Sequence, residues 1–181
     1  MAQSVLVIAD SGSGKSTAIK DLDSKETFII NIASKPLPFK GWKKNYTKID
    51  KDNPKGNMTG VSSAAGIIKA MMHVNTKMPH IKNLVIDDWQ YMSSFEYFDR
   101  ADEKGYDKFT SIAKNLAQVA KLPKDMRDDL YIFFLTHSEE STDVNGHRRV
   151  KAKTIGKMID NTLTLEGLFS IVLFGKVVKG E

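Results

Sequence analysis

Residues 4–17 read Ser-Val-Leu-Val-Ile-Ala-Asp-Ser-Gly-Ser-Gly-Lys-Ser-Thr, and no other stretch of the chain narrows the possible folds as far. Ser4 to Ala9 is an apolar, β-branched run of strand type. It breaks into a loop of small residues that closes on Gly14-Lys15-Ser16, and a helix can follow at once. Small residues let backbone N–H groups turn inward around phosphate oxygens. A lysine at the end of such a loop adds a point charge, the hydroxyl beside it can ligate Mg²⁺, and a following helix adds its dipole. The pattern is that of a P-loop. Its stricter form has Gly at the first position, where this chain has Ala9; that position ends the strand, and a methyl group fits there. Asp10, Ser11, Gly12, Ser13, Gly14, Lys15, Ser16 and Thr17 are therefore the expected phosphate-contacting set. Lys15 is the expected catalytic charge and Ser16 an expected Mg²⁺ ligand.

The rest of the chain alternates strand-like and helix-like segments. Strands are expected at Thr27 to Ile32, Asn83 to Ile86, Leu130 to Leu135 and Leu168 to Phe174. Helices are expected at Ala18 to Leu22, Val61 to Met72, Tyr91 to Ala101, Phe109 to Ala120 and Thr154 to Leu163. Near-continuous apolar strands separated by helices predict a parallel sheet covered on both faces, an α/β three-layer fold. With 181 residues and 41% hydrophobic content, one domain spanning 1–181 is the natural size. The chain has no Cys, which excludes a disulfide frame, a thiol nucleophile and a Cys-based zinc site. The longest apolar runs are of strand length and no charged leader precedes β-type sequence, so a cytoplasmic, membrane-free protein is expected. The formal charge of +5 permits a nucleic-acid partner without demanding one.

A second chemical motif is Leu84-Val85-Ile86-Asp87-Asp88, an apolar strand ending in two carboxylates. Downstream of a P-loop this is the Walker B arrangement. Asp87 is the expected second contributor to the Mg²⁺ shell, and Asp88 the carboxylate that orients or polarises an attacking water; the bland alternative for Asp88 is a helix cap. The fourth strand ends Leu135-Thr136-His137. Either Thr136 or His137 could face the terminal phosphate, and His137 is the expected catalytic member. His73, His80 and His147 lack ligand spacing, so no metal besides Mg²⁺ is expected.

Ala9 to Thr17, Leu84 to Gln90, Leu135-Thr136-His137 and Lys35-Pro36-Leu37-Pro38-Phe39 together resemble the RecA-like ATPase core. More narrowly, they look like the phage-encoded single-domain ATPases of the Sak-four-like group, associated with single-strand annealing and recombination. The resemblance implies a sheet ordered 5-1-4-3-2, ATP hydrolysis with Mg²⁺, single-stranded DNA as partner and location in a host cytoplasm. It also implies a homo-oligomer with ATP at the subunit interface and a single-strand-binding protein as a further partner. One departure stands out. RecA proteins carry a catalytic Glu just after strand two, where this chain has Ala33-Ser34-Lys35. The departure shifts the expected catalytic burden to Asp88.

Two basic segments bear on the partner. Residues 35–55 hold seven Lys against Asp50 and Asp52, interleaved with Phe39, Trp42 and Tyr46. Trp42, Lys43 and Lys44 are the expected single-strand contacts, the alternative being an ordinary connection with its rings tucked onto the core. The second segment follows Asn145-Gly146, a hairpin turn signal, and offers Arg148, Arg149, Lys151 and Lys153 on the return arm of a β-hairpin. These cations suit DNA phosphates or a neighbour's ATP. Val177-Val178 reads as the opening of a further strand whose partner would lie past Glu181. Two other functions share the P-loop: a kinase of a nucleoside or small metabolite, and a nucleotide-binding switch with little turnover.

Overall fold

The expected strands lie side by side in one sheet. The computed structural model describes residues 1–142, 146–154 and 164–178, with Ser141, Arg148 and Arg149 described by their backbone. The strands are β1 (Gln3–Ala9), β2 (Thr27–Asn31), β3 (Met58–Thr59), β4 (Asn83–Asp87), β5 (Tyr131–Thr142), β6 (Arg148–Ala152) and β7 (Ile171–Gly175). Six run in the order β3-β2-β4-β5-β1-β7, every neighbouring pair parallel, and β6 pairs antiparallel with β5. Their apolar runs are continuous because both faces are covered: Leu6, Ile8, Ile29, Ile30, Leu84, Val85, Ile86, Ile132 and Phe134 are all buried. The edge strand β7 departs from this, with Ile171, Leu173 and Phe174 exposed.

Alternation along the strands divides the interior into two unequal layers. Leu6, Ile8, Phe28, Ile30, Leu84, Ile86, Ile132 and Phe134 face the larger core. That face is covered by the helices α2 (Ala64–Lys77), α3 (Gln90–Asp99) and α4 (Asp107–Lys121). Ile112, Leu116 and Val119 recur at helical spacing and bury one side of α4. Ser63 starts α2, three residues later than the apolar pattern suggests, because its Oγ accepts the Gly66 N–H at 3.2 Å. The opposite face carries Ile29, Val85 and Leu135. It is covered by Ile19, Leu37 and Tyr46, with Phe39 and Trp42 packed at the margin and Trp42 opening the one-turn helix α1 (Trp42–Asn45).

The helix expected at Ala18 to Leu22 is a 3₁₀ segment, Thr17–Asp21, rather than an α-helix. Only Ile19 in it is buried. Asp23 closes it, accepting the Lys25 N–H at 2.9 Å and the Thr27 hydroxyl at 2.7 Å through its side chain and its carbonyl respectively. A single anchor and an early turn leave no room for further helical turns. The last strand starts later than expected because Leu165–Leu168 forms a 3₁₀ turn before it. Residues 176–178 take no regular structure. The helix expected over 154–163 lies, from 155 on, outside the described residues. Among the described residues no helix is long and apolar enough to cross a membrane.

Candidate active site

Parallel strands bring their C-terminal ends to one edge of the sheet, and the chemistry-bearing residues collect there. In register, Ala9 lies beside His137 and Asn31 beside Asp87. The loop after β1, the residues after β4 and the end of β5 thus converge. A cavity of about 420 Å³ opens between them, lined by Ser11, Gly12, Gly14, Lys15, Ser16, Thr17, Lys35, Pro36, Pro38, Asp88 and His137. Gly12 and Gly14 both adopt positive φ (76° and 93°), so the loop needs residues without a Cβ at these points. The Ser13 Oγ and N–H both donate to the Asp10 carbonyl, at 2.7 and 3.2 Å, which tightens the turn. Asp10 itself accepts from the Ser138 hydroxyl and so ties the loop to β5.

Lys15 spans the loop mouth. Its ammonium donates to the carbonyls of Ala9 and Asp10 at 2.7 and 2.8 Å. Burial holds its pKa below the ordinary lysine value, against the pull of Asp88, Asp87 and Asp10. Ser16 Oγ donates to Asp87 Oδ1 at 2.7 Å. Burial pushes the Asp87 carboxyl upward, and the Ser16 hydrogen bond opposes that shift. Ser16 lines the cavity and is bonded to Asp87; these two oxygen donors are hard and adjacent, a set that fits Mg²⁺ completed by phosphate and water oxygens. Among the described residues no group of three or more His, Cys, Asp or Glu could hold a metal by protein ligands alone.

Asp88 is where the backbone departs from the ordinary. Its φ is 59°, in the left-handed region that costs an L-residue roughly 1–2 kcal/mol, Asp being among the more tolerant types. The turn sends Trp89 into the core against Phe134 and Phe169, with ring centroids 5.0 and 5.6 Å apart. The Trp89 N–H is tied to the Leu135 carbonyl at 2.9 Å. The same turn leaves the buried Asp88 carboxylate aimed into the cavity. There it pairs with the Lys35 ammonium, and His137 Nε2 stands 3.6 Å from Oδ1. His137 is held below its ordinary pKa by burial and by Lys15, so it is a neutral imidazole at pH 7. Thr136 takes the other side of β5: it is buried and does not line the cavity, whereas His137 does. Strand alternation separates the two candidates.

Lys35 is the participant that sequence reasoning assigned elsewhere. It belongs to the basic segment by composition, yet its side chain turns back to Asp88. Burial, the largest single influence, pulls its pKa down; hydrogen bonding and charge from Asp88, with Asp87 behind, overcome this and leave it raised. The backbone that aims it is unusual too. Ser34 has φ 52°, and Asn31 Nδ2 clamps the Lys35 carbonyl at 2.6 Å. The available signal was the expected sheet order, which sets the residues after strand two against the end of the strand that became β4.

The basic-segment residues beyond Pro38 do not line this cavity. Tyr46 is buried with its ring edge-on to the partly buried Phe39, so these two rings are tucked onto the core. Trp42 is half-buried, with the Lys43 ammonium 5.7 Å above its ring, while Lys43 and Lys44 are exposed. Trp42 and Lys43 line a second cavity of about 380 Å³ that shares Lys35 and Pro36 with the first. In the β5–β6 pair, Lys151 approaches Glu139 at 4.0 Å, and Lys153 is exposed, its N–H bonded to the His137 carbonyl at 2.8 Å. The side chains of Arg148 and Arg149, and Asn145 of the turn, lie outside the described residues.

The sequence matches no protein-family model and no curated protein at a significant level.

Proposed function

We propose that this protein is a RecA-like P-loop ATPase that binds and hydrolyses ATP with Mg²⁺ and acts on single-stranded DNA. The observation that carries the reading is the 2.7 Å bond from Ser16 to Asp87. It joins the end of the glycine-rich loop to the end of the apolar strand, as Mg²⁺ at a β,γ-phosphate pair requires. The strand order adds support: without the two-residue β3 and the hairpin strand β6, the remaining five strands run 5-1-4-3-2 when numbered among themselves. Phosphate affinity here rests on loop N–H groups and Lys15, because the 3₁₀ segment after the loop is too short for a helix dipole.

When bound, Mg²⁺ supplies charge neutralisation across the phosphates, held by Ser16 and Asp87. Lys15 leaves its two carbonyl partners for phosphate oxygens. Asp88 orients the attacking water from a buried position, and neutral His137 beside it offers one hydrogen-bond donor. For DNA, the support is the exposed Lys43, Lys44 and Lys153, and the direct link from Lys153 to His137.

The test is phosphate release by the full chain with and without single-stranded DNA, beside a panel of small phosphate acceptors. DNA-stimulated release is expected. Lys15→Ala should abolish it, by roughly 10²–10³-fold or more, without lowering thermal stability. Trp42→Ala should weaken DNA binding by about 1–3 kcal/mol if the ring stacks on a base. One observation favours a kinase as the second reading: the neighbouring cavity bounded by Trp42 and Lys43 could seat an acceptor. Phosphorylated acceptor in the panel would establish it.

A further inference from the structure

The nucleotide cavity contains a second cation that no expectation placed there. Lys35 stands with Pro36 and Pro38 in the wall formed after β2, while Lys15 belongs to the loop after β1. Both side chains line the same cavity. A positive charge at this spot needs a reason. Lys35 is half-exposed and could extend into solvent, where its entropy and hydration are best. Instead its backbone is pinned through Asn31, its neighbour Ser34 takes positive φ, and its head is locked on Asp88. An ammonium has three donors. Asp88 holds the head as an ion pair, and Lys35 itself lines the cavity.

We propose that Lys35 is a catalytic residue that contacts the terminal phosphate of the nucleotide from within the same chain, with Asp88 as its positioning residue. The proposal rests on the nucleotide-hydrolysis reading above and deepens it. In the reaction, the water oxygen forms a bond to the γ-phosphorus as the bond to the β,γ-bridging oxygen breaks. The electron pair leaves on the β-phosphate of ADP, and the water's proton leaves with inorganic phosphate. Negative charge builds on the bridging and terminal oxygens, and Lys35 meets it from the cavity wall that follows β2. A fixed cation there is the role that an arginine finger fills from a neighbouring molecule. The position after strand two thus carries a cation where a carboxylate would be expected, and the water-orienting carboxylate stands one strand over at Asp88.

The test compares Lys35→Ala, Lys35→Gln and Lys35→Arg in single-turnover phosphate release, with binding of a non-hydrolysable ATP analogue measured alongside. Lys35→Gln keeps an amide donor for Asp88, so it remains informative if Lys35→Ala folds poorly. Both neutral variants should lose hydrolysis on the order of 10³-fold. Analogue binding should change less than about tenfold, as expected of a contact made mainly in the transition state. Lys35→Arg should recover a substantial part of the rate. Mixing Lys35→Ala with Lys15→Ala chains should restore nothing, because each chain needs its own Lys35. Recovery on mixing would place the cation in trans and overturn the assignment. Parent-rate hydrolysis by Lys35→Gln, with Lys15→Ala inactive, would overturn it while leaving the ATPase reading intact. Parent-rate hydrolysis by Lys15→Ala would overturn the ATPase reading itself.

Discussion

The Ser16 hydroxyl donates to Asp87 Oδ1 across 2.7 Å and 71 positions of sequence. Asp87 is nearly fully enclosed, and its carboxyl is pushed up by that burial. A folded-state pKa above the unfolded one means that the folded chain holds this proton more tightly. Stability is then greater below the unfolded pKa and declines as pH rises through the folded value. Asp87→Asn should consequently melt at the same or a higher temperature at neutral pH. It should lose Mg²⁺-dependent nucleotide binding and turnover together. Thermal melts at pH 7, paired with nucleotide binding with and without Mg²⁺, check both halves.

Asp88 combines a buried charge with a left-handed backbone, and two substitutions separate these properties. Asn tolerates positive φ almost as well as Asp; Ala does not. Asp88→Asn should retain nucleotide binding but hydrolyse far more slowly. Asp88→Ala should show the same loss of hydrolysis and be less stable than Asp88→Asn by about 1 kcal/mol. Denaturant unfolding of the two variants measures the difference, and equal stabilities would refute a backbone role for this position.

Arg127 holds the back of the fold together. Its guanidinium donates to the carbonyls of Val74 and Asn75 at 2.7 and 3.0 Å, to Met78 at 3.1 Å and to Ile81. It thereby closes the C-terminal end of α2 and fixes the approach to β4. A lysine has one compact head and cannot reproduce this fork. Arg127→Lys should destabilise the protein by about 1.5–3 kcal/mol, read from denaturant midpoints, while nucleotide binding per folded molecule stays unchanged.

Asp129, beside that anchor, sets an acid limb. Its carboxyl is held below the usual range chiefly by the Lys82 ammonium, with Arg127 adding to the effect. Its stabilisation is fully present above the unfolded carboxylate range and is lost as pH falls through the lower folded value. Asp129→Asn should therefore flatten the decline in melting temperature between about pH 5 and pH 3 and be weakened in its effect by salt. An unchanged acid limb would assign that decline to other carboxylates.

The sequence determined by itself what contiguous residues can encode. Strand-type runs at Ser4–Ala9, Thr27–Ile32, Asn83–Ile86 and Leu130–Leu135 appear as β1, β2, β4 and β5, since a strand buried on both faces is simply an unbroken apolar stretch. The loop of small residues closing on Gly14-Lys15-Ser16 was legible for the same local reason, although the positive φ of Gly12 and Gly14 is seen only in the structure. Tertiary structure decided the rest. The segment after the loop stops at Asp21 because only Ile19 finds a core to enter, which depends on what covers that face. His137 rather than Thr136 reaches the cavity because the register of β5 against β1 sets which side each faces. Lys35 looked like one of seven lysines in a basic stretch. Its pairing with Asp88 exists only because β2 lies beside β4, and strand adjacency is a long-range packing outcome that no short window of sequence contains.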